Sequence, residues 1–226
     1  MKATVSLSFM LLGVVFCACL VASNLLETKI LQFGPVTITA GFLVFPISYI
    51  INDCIAEVWG FRRARFIIWT GFAMNFLVAA LGQIAVFLPS APFWDGEAHF
   101  NYLFGLAPRI AAASFLAFLA GSFLNAYVMS RMKVASGGRH FSARAILSTL
   151  VGEGVDSLIF FPCAFAGVLP LSAMIPMMLA QTALKTLYEI VVLPVTIRVV
   201  NYVKRVEETD VFDENISYNI LKIREV

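Results

Sequence analysis

Charge is scarce in this chain. Asp, Glu, Lys and Arg make up 13% of its residues, against about a quarter in a soluble domain. Histidine is scarcer still. His99 and His140 lie in separate loops with no ligand partner at metal spacing, so neither a metal site nor another cofactor is expected. The 4 cysteines, Cys17, Cys19, Cys54 and Cys163, sit in apolar runs, where they act as small hydrophobes rather than disulfide partners. No HExxH, GxSxG or paired catalytic Asp-Gly signature occurs, which argues against an intramembrane enzyme acting on lipid. No stretch is left over for a soluble ATPase or catalytic domain, and nothing points to nucleic acid.

Apolar surface is what the chain has in excess. Its 226 residues are 60% hydrophobic, include 21 Phe, and have a mean hydropathy of +0.88. An integral membrane protein surrounded by lipid is the expected class. A helix needs about twenty apolar residues to cross the hydrocarbon core. Six such runs are predicted, at about 4–24, 36–57, 63–88, 109–131, 143–168 and 173–200. The first is long for a signal peptide and five more follow it, so it counts as a span. Gly34-Pro35, Gly60, Pro89 to Pro92, Gly137-Gly138 and Leu169-Pro170 punctuate the series, while Pro46, Pro162 and Pro194 fall inside spans. The expected fold is all-α: a polytopic six-helix transmembrane domain over 1–202, then a soluble tail over 203–226 that is suited to dock on it.

The basic residues predict orientation. Lys2, the Arg62, Arg63 and Arg65 group, the Arg131, Lys133, Arg139 and Arg144 group, and Lys204 with Arg205 all fall on one side. The other side holds only Lys29 and Arg109. By the positive-inside rule both termini are cytoplasmic. On the outer side, Pro89 to Arg109 carries Phe93, Trp94, Phe100, Tyr102 and Phe104, as an interfacial anchor or an outer lid would. The run Ala111-Ala112-Ala113 suits internal packing, a partner helix or a homodimer alike.

Against this background the charges inside the spans stand out, because each is costly in a bilayer and must face an interior. In span five, Glu153 and Asp156 are three residues apart and share one helix face near the midplane. Gly152 and Gly154 flank Glu153 and let a helix or a flat ligand approach. In span six, Gln181, Lys185 and Glu189 form a stripe with Tyr188 beside it, and Lys185 and Glu189 are spaced to pair. Span two adds Tyr49, Asn52, Asp53 and Glu57. Glu57, and with it Asp53, is placed to neutralise Arg62, Arg63 or Arg65 across the Trp59-Gly60 turn. Asn24, Glu27 and Lys29 mark the outer end of span one, where a helix cap explains them, and Asn75 and Asn125 are midspan amides. Two readings of the span-five and span-six cluster remain: a salt-bridge network that locks helices together, or a site for a ligand rich in N–H groups, since acceptors outnumber donors.

The blocks NLLETK, GFLVFPISYIINDCIAEVWGFRRAR, FGLAPRIAAASFLAFLAGSFLN, GEGVDSLIFF and KTLYE occur in that order. They resemble the queuosine precursor transporter family, also called vitamin uptake transporter-like proteins, over about residues 22–195. The resemblance implies a bacterial inner-membrane importer of 7-deazaguanines such as 7-cyano-7-deazaguanine, its aminomethyl analogue or queuine. It also implies a helical organisation like that of the substrate-binding subunits of energy-coupling-factor transporters. The alternative is such a subunit itself, serving a separate ATPase. With that substrate class, Glu153 or Asp156 would accept the base's N1–H and exocyclic amine. Lys185, held by Glu189, would donate to its carbonyl. Phe45, Phe160 and Tyr188 would stack on the ring. Asn24 and Asn75 would read its remaining nitrogens. Asp53 and Gln181 complete the candidate set.

Overall fold

The computed structural model describes residues 6–26, 29–33, 36–105, 108–167, 170–214 and 216–222. Lys2, Glu27, Gly34, Pro35 and Leu169, all invoked above, lie outside the described residues, as do the side chains of Arg109 and Ala111. The described residues are all-α apart from one short hairpin. Their elements are α1 (Leu7–Leu26), β1 (Ile30–Phe33), β2 (Val36–Thr39), a 3₁₀ turn (Ala40–Leu43), α2 (Phe45–Phe87), α3 (Glu97–Gly105), α4 (Pro108–Ser136), α5 (Phe141–Phe165) and α6 (Leu171–Glu207). Among the described residues, four helices hold stretches long and apolar enough to cross a membrane: α1, α2, α4 over Ala112–Ser136, and α5 over Phe141–Ala164.

The 43 residues of α2 are two rods rather than one. Gly60 breaks the helix with φ 82 and ψ 175. The chain reverses there, as neighbouring α4 shows. In the first half of α2, Phe45 meets Phe118, Asn52 donates to the Ser122 carbonyl, and Asp53 meets Asn125, so the two segments run parallel. In the second half, Trp69 meets Phe123 and Phe72 meets Phe115, so they run antiparallel. The first half starts later than the sequence suggested. Residues 36–39 pair in the hairpin, Ile30 opposite Thr39, and Pro46 opens the helix instead of interrupting it. Proline is favoured in a first turn because its missing N–H is one that the helix leaves unbonded anyway. The resulting rod, 45–59, is only about 22 Å long at 1.5 Å per residue, so the hairpin and 3₁₀ turn supply the remaining depth. Non-helical backbone is tolerated at such a place when protein covers it; Ala40 and Gly41 are buried, and Ser23 Oγ donates to the Gly41 carbonyl at 3.3 Å.

The inside-out distribution of side chains fits lipid as solvent. Leu7, Val14, Phe76, Phe87, Leu158, Leu179 and Val191 point outward, whereas Asp53, Glu57, Glu153, Asp156, Lys185 and Glu189 are buried. Aromatic rings fill the core between α1, α2 and α4, with Phe16, Phe45 and Phe118 at its centre. At the hairpin end, α3 is pinned to α2: Gln83 Nε2 donates to the Phe104 carbonyl, and Trp94, Phe100 and Phe104 stack in series. The aromatic segment is thus an anchored helix.

At the other end the tail folds back as a strap. Helix α6 continues to Glu207, through the boundary expected at 202/203. After it, Val211 N–H donates to the Val58 carbonyl at 3.0 Å, and Asp213 Oδ2 accepts from Phe61 N–H at 2.7 Å and from Ser130 Oγ. Asp213 therefore caps the helix that begins after Gly60, a role normally filled by a residue next in sequence. Arg65 Nη1 donates to the Asn219 carbonyl at 2.6 Å, Trp69 Nε1 to the Ile220 carbonyl at 2.9 Å, and Tyr218 packs between Phe61 and Tyr127. A Cβ on Gly60 would sit 2.6 Å from Asp213 Oδ1 at a φ that L-residues rarely adopt. Gly60→Ala is accordingly expected to cost about 1–3 kcal/mol and to loosen the tail. Melting in detergent and protease cleavage after residue 208 check this; an unchanged melting temperature with a protected tail would contradict it.

Candidate functional site

Glu153 is the thirteenth residue of α5, half-way along it, and the antiparallel α6 brings Lys185 alongside. Ser157 Oγ meets Thr182 Oγ1 at 3.0 Å one turn further on, which fixes the register of the two helices. Lys185 Nζ lies 2.8 Å from Glu153 Oε2 and 3.5 Å from Asp156 Oδ2. It also sits 3.8 Å from the centre of the Phe45 ring, a cation–π distance. The expected Lys185–Glu189 pair within α6 gives way to this arrangement. Two acids on a facing helix hold the ammonium more directly than one acid a turn away on the same surface. Glu189 turns instead toward Asp53 and Thr149.

Helices α4 and α5 touch closely at this level. A Cβ on Gly152 would sit 2.9 Å from the Gly121 carbonyl, and one on Gly121 would sit 2.8 Å from the Gly152 carbonyl. Tyr49 from α2 lies against both glycines. Gly154, read above as a second close-approach position, has open space where a side chain would be. The outcome is a layer of Tyr49, Asp53, Glu153, Asp156, Lys185 and Glu189, each at most 5% exposed. Neither oxygen of Glu153 or Glu189 has an aligned hydrogen-bond donor among the described residues, nor has the Tyr49 hydroxyl. Buried carboxylates are normally well supplied with donors. One cation among four acids leaves acceptor capacity that a ligand rich in N–H groups would fill.

The remaining candidates distribute unevenly. Phe45 is in the cluster. Tyr188 meets Phe42 edge-on, with ring centroids 6.0 Å apart, on the hairpin side of the layer. Gln181 is half-buried one turn from Lys185. Phe160, one turn beyond Asp156 on α5, packs with Phe161, Ala117 and Met174 in a second apolar cluster. Asn75 is buried in the second half of α2, beyond the Gly60 reversal from Asp53. Asn24 is half-buried near the end of α1. Among the described residues, neither Asn24 nor Asn75 makes a hydrogen bond to the acids. Asn125, seen in the sequence only as a midspan amide, is part of the layer: its Nδ2 donates to Asp53 Oδ1 at 2.7 Å.

The partners of Glu57 also differ from expectation. Arg62 is exposed, Arg63 lies over the Phe9 ring, and Arg65 binds the tail. Glu57 is held by Arg144, with Nη2 to Oε1 at 3.1 Å and Nη1 to Oε2, by Lys204 at 2.7 Å, and more distantly by Lys133 at 4.0 Å. A forked guanidinium fits a carboxylate geometrically, and Arg144 in the first turn of α5 points at Glu57, whereas Arg62 is exposed. Lys133 and Lys204 also clamp Asp210. Partial burial alone would raise the Asp210 carboxyl, yet hydrogen bonds from Lys133 and Lys204 hold it below the usual carboxylate range. This network seals the Gly60 end of the bundle and leaves the midplane acids as a distinct set.

Comparison with known proteins agrees with this architecture. The family model described as "Putative vitamin uptake transporter" matches residues 39–199. A Bacillus subtilis (strain 168) protein named "Probable queuosine precursor transporter" is 26% identical over 175 residues, 77% of this chain and 76% of its own length. An Escherichia coli (strain K12) protein named "Queuosine precursor transporter" is 30% identical over 127 residues, 56% of this chain and 55% of its own length. No solved structure matches. The matched region contains the 3₁₀ turn, both halves of α2, and every member of the buried layer. The chain therefore belongs to the vitamin uptake transporter family, is similar to proteins named as queuosine precursor transporters, and is a membrane transporter rather than an enzyme.

Proposed function

We propose that this protein imports 7-deazaguanine precursors of queuosine across the bacterial inner membrane, through six spans with both termini in the cytosol. The observation that carries the reading is the buried Glu153 carboxylate in a layer where acids outnumber cations, with Lys185 2.8 Å from it on the face of Phe45. A guanine-like edge offers N1–H and an exocyclic N–H₂ side by side, and one carboxylate accepts both. Lys185 would then move its ammonium from Glu153 toward the base carbonyl while Asp156 keeps hold of it, so that charge stays paired on both sides of the exchange. Phe45, and Tyr188 from the hairpin side, offer flat faces to a flat base at about 1–3 kcal/mol per stack. The two halves of α2 and helix α6 count as spans together with α1, α4 and α5. The basic residues around Gly60 support a cytoplasmic location for that end, by the positive-inside rule.

The test is uptake of labelled 7-cyano-7-deazaguanine in cells that can neither make nor import it, followed by queuosine in their tRNA. Expression of this chain is expected to restore both. Abundant, membrane-inserted protein with no uptake of 7-cyano-7-deazaguanine, its aminomethyl analogue or queuine would reject the reading.

A further inference from the structure

The layer contains a second group that the Glu153–Lys185–Asp156 triangle does not use. Asp53 and Glu189 approach one another from α2 and α6. Both are buried, at 0% and 1% exposure. The groups facing them are nearly all neutral or already engaged. From α2 they are Tyr49, Cys54 and Glu57, the last neutralised by Arg144 and Lys204. From α4 comes Asn125, and from α5 come Ser148, Thr149 and Glu153. The nearest cation on α6, Lys185, is committed to α5. Donors are few. Asn125 Nδ2 serves Asp53 at 2.7 Å. Ser148 Oγ stands 3.4 Å from each Asp53 oxygen, but its single hydrogen points more closely to the Ala145 carbonyl at 2.9 Å. The Thr149 hydroxyl lies beside Glu189 without an aligned hydrogen bond, and both Glu189 oxygens lack a donor among the described residues.

Two carboxylates cannot face each other in a dry interior with both charges in place, and sharing one proton removes the conflict. A shared proton would supply the missing donor between them. We propose that Asp53 and Glu189 form a proton-binding site, distinct from the substrate-reading triangle, whose proton is taken up on one side of the membrane and released on the other with each substrate carried. The coupling half rests on the transport reading above; the site itself does not.

The chemistry balances simply. One carboxyl O–H forms as a proton leaves water on the first side, and it breaks to water on the second. The site lies between the triangle and the Glu57 network, so movement of α6 against α2 would change the separation of the two acids and expose the proton. Two measurements on purified full-length protein test this. The first is infrared difference spectroscopy across a pH titration, reading the C=O stretch of protonated carboxyls. A band present at neutral pH is expected to disappear in both Asp53→Asn and Glu189→Gln. A missing band, or one that survives both substitutions, overturns the site whether or not any base is transported. The second uses vesicles with an inside-alkaline pH gradient and labelled 7-cyano-7-deazaguanine. Wild type is expected to accumulate label several-fold above equilibrium until a protonophore is added, while the Asp53→Asn, Glu189→Gln double variant only equilibrates it. Wild-type uptake indifferent to the gradient, or a double variant that still accumulates, overturns the coupling. Failure of wild type to move any of the three deazaguanines rejects the transport reading and with it the coupling, while the infrared band still decides the site.

Discussion

Lys185→Met is expected to lower the stability of the folded protein by about 3–5 kcal/mol, the usual cost of removing one partner from a buried ion pair. Lys185 is 2% exposed and is the cation that pairs with Glu153 and Asp156. Without it both acids are buried together with no counter-charge. They must take up protons or admit water. The partner assignment makes the prediction specific. Combining Lys185→Met with Glu153→Gln should recover much of the lost melting temperature, because only Asp156 is then left to neutralise. Combining it with Glu189→Leu should not, because Glu189 faces Asp53 and Thr149 instead. Melting in detergent of the single and the two double variants checks this. Rescue by Glu189→Leu and not by Glu153→Gln would restore the pairing within α6.

Glu57→Gln should have a comparable effect at the Gly60 end, again about 3–5 kcal/mol. Arg144 and Lys133 are each 1% exposed, and both point at Glu57, with Lys204 beside them. An amide leaves two buried cations with too little negative charge, since Asp210 is shared between the two lysines. Arg62→Gln, by contrast, removes an exposed charge and should stay within about 0.5 kcal/mol. Equal melting temperatures for the two variants would mean that the Glu57 network is not what holds this end closed.

The contrast between these two sites shows where the sequence was informative. The depth and spacing of Glu153, Asp156 and Lys185 were legible, because a charge in an apolar run has few places to go and helical periodicity assigns its face. What periodicity cannot assign is the partner across an interface. Lys185 had an acid four residues away on its own helix and chose two on the next. Glu57 had three arginines a few residues off and was claimed by Arg144, 87 positions later. The start of span two differs from the apolar pattern for another reason. Residues 36–44 are as apolar as a helix, and only the tertiary environment turns them into a hairpin and a 3₁₀ turn. The tail's docking was visible as scattered hydrophobics such as Val211 and Phe212. Its role as a cap on the helix after Gly60 was not, because Asp213 comes to that N–H from 152 positions away. Asn125 was passed over as an ordinary interhelical amide; its position four residues after Gly121, on the face that meets Gly152, was the available signal.

The central claim is that Glu153 reads the hydrogen-bond edge of a deazaguanine in the middle of the bundle. The most direct measurement is equilibrium binding of 7-cyano-7-deazaguanine to purified wild type and to Glu153→Gln, with circular dichroism confirming that both are folded. Glutamine keeps the shape of the side chain but presents an N–H₂ where the base presents N–H groups of its own. Losing charge-assisted hydrogen bonds is worth about 1.5–3 kcal/mol, so Kd should rise by at least about tenfold and up to a few hundredfold. A folded Glu153→Gln protein that binds 7-cyano-7-deazaguanine as tightly as wild type would contradict the claim.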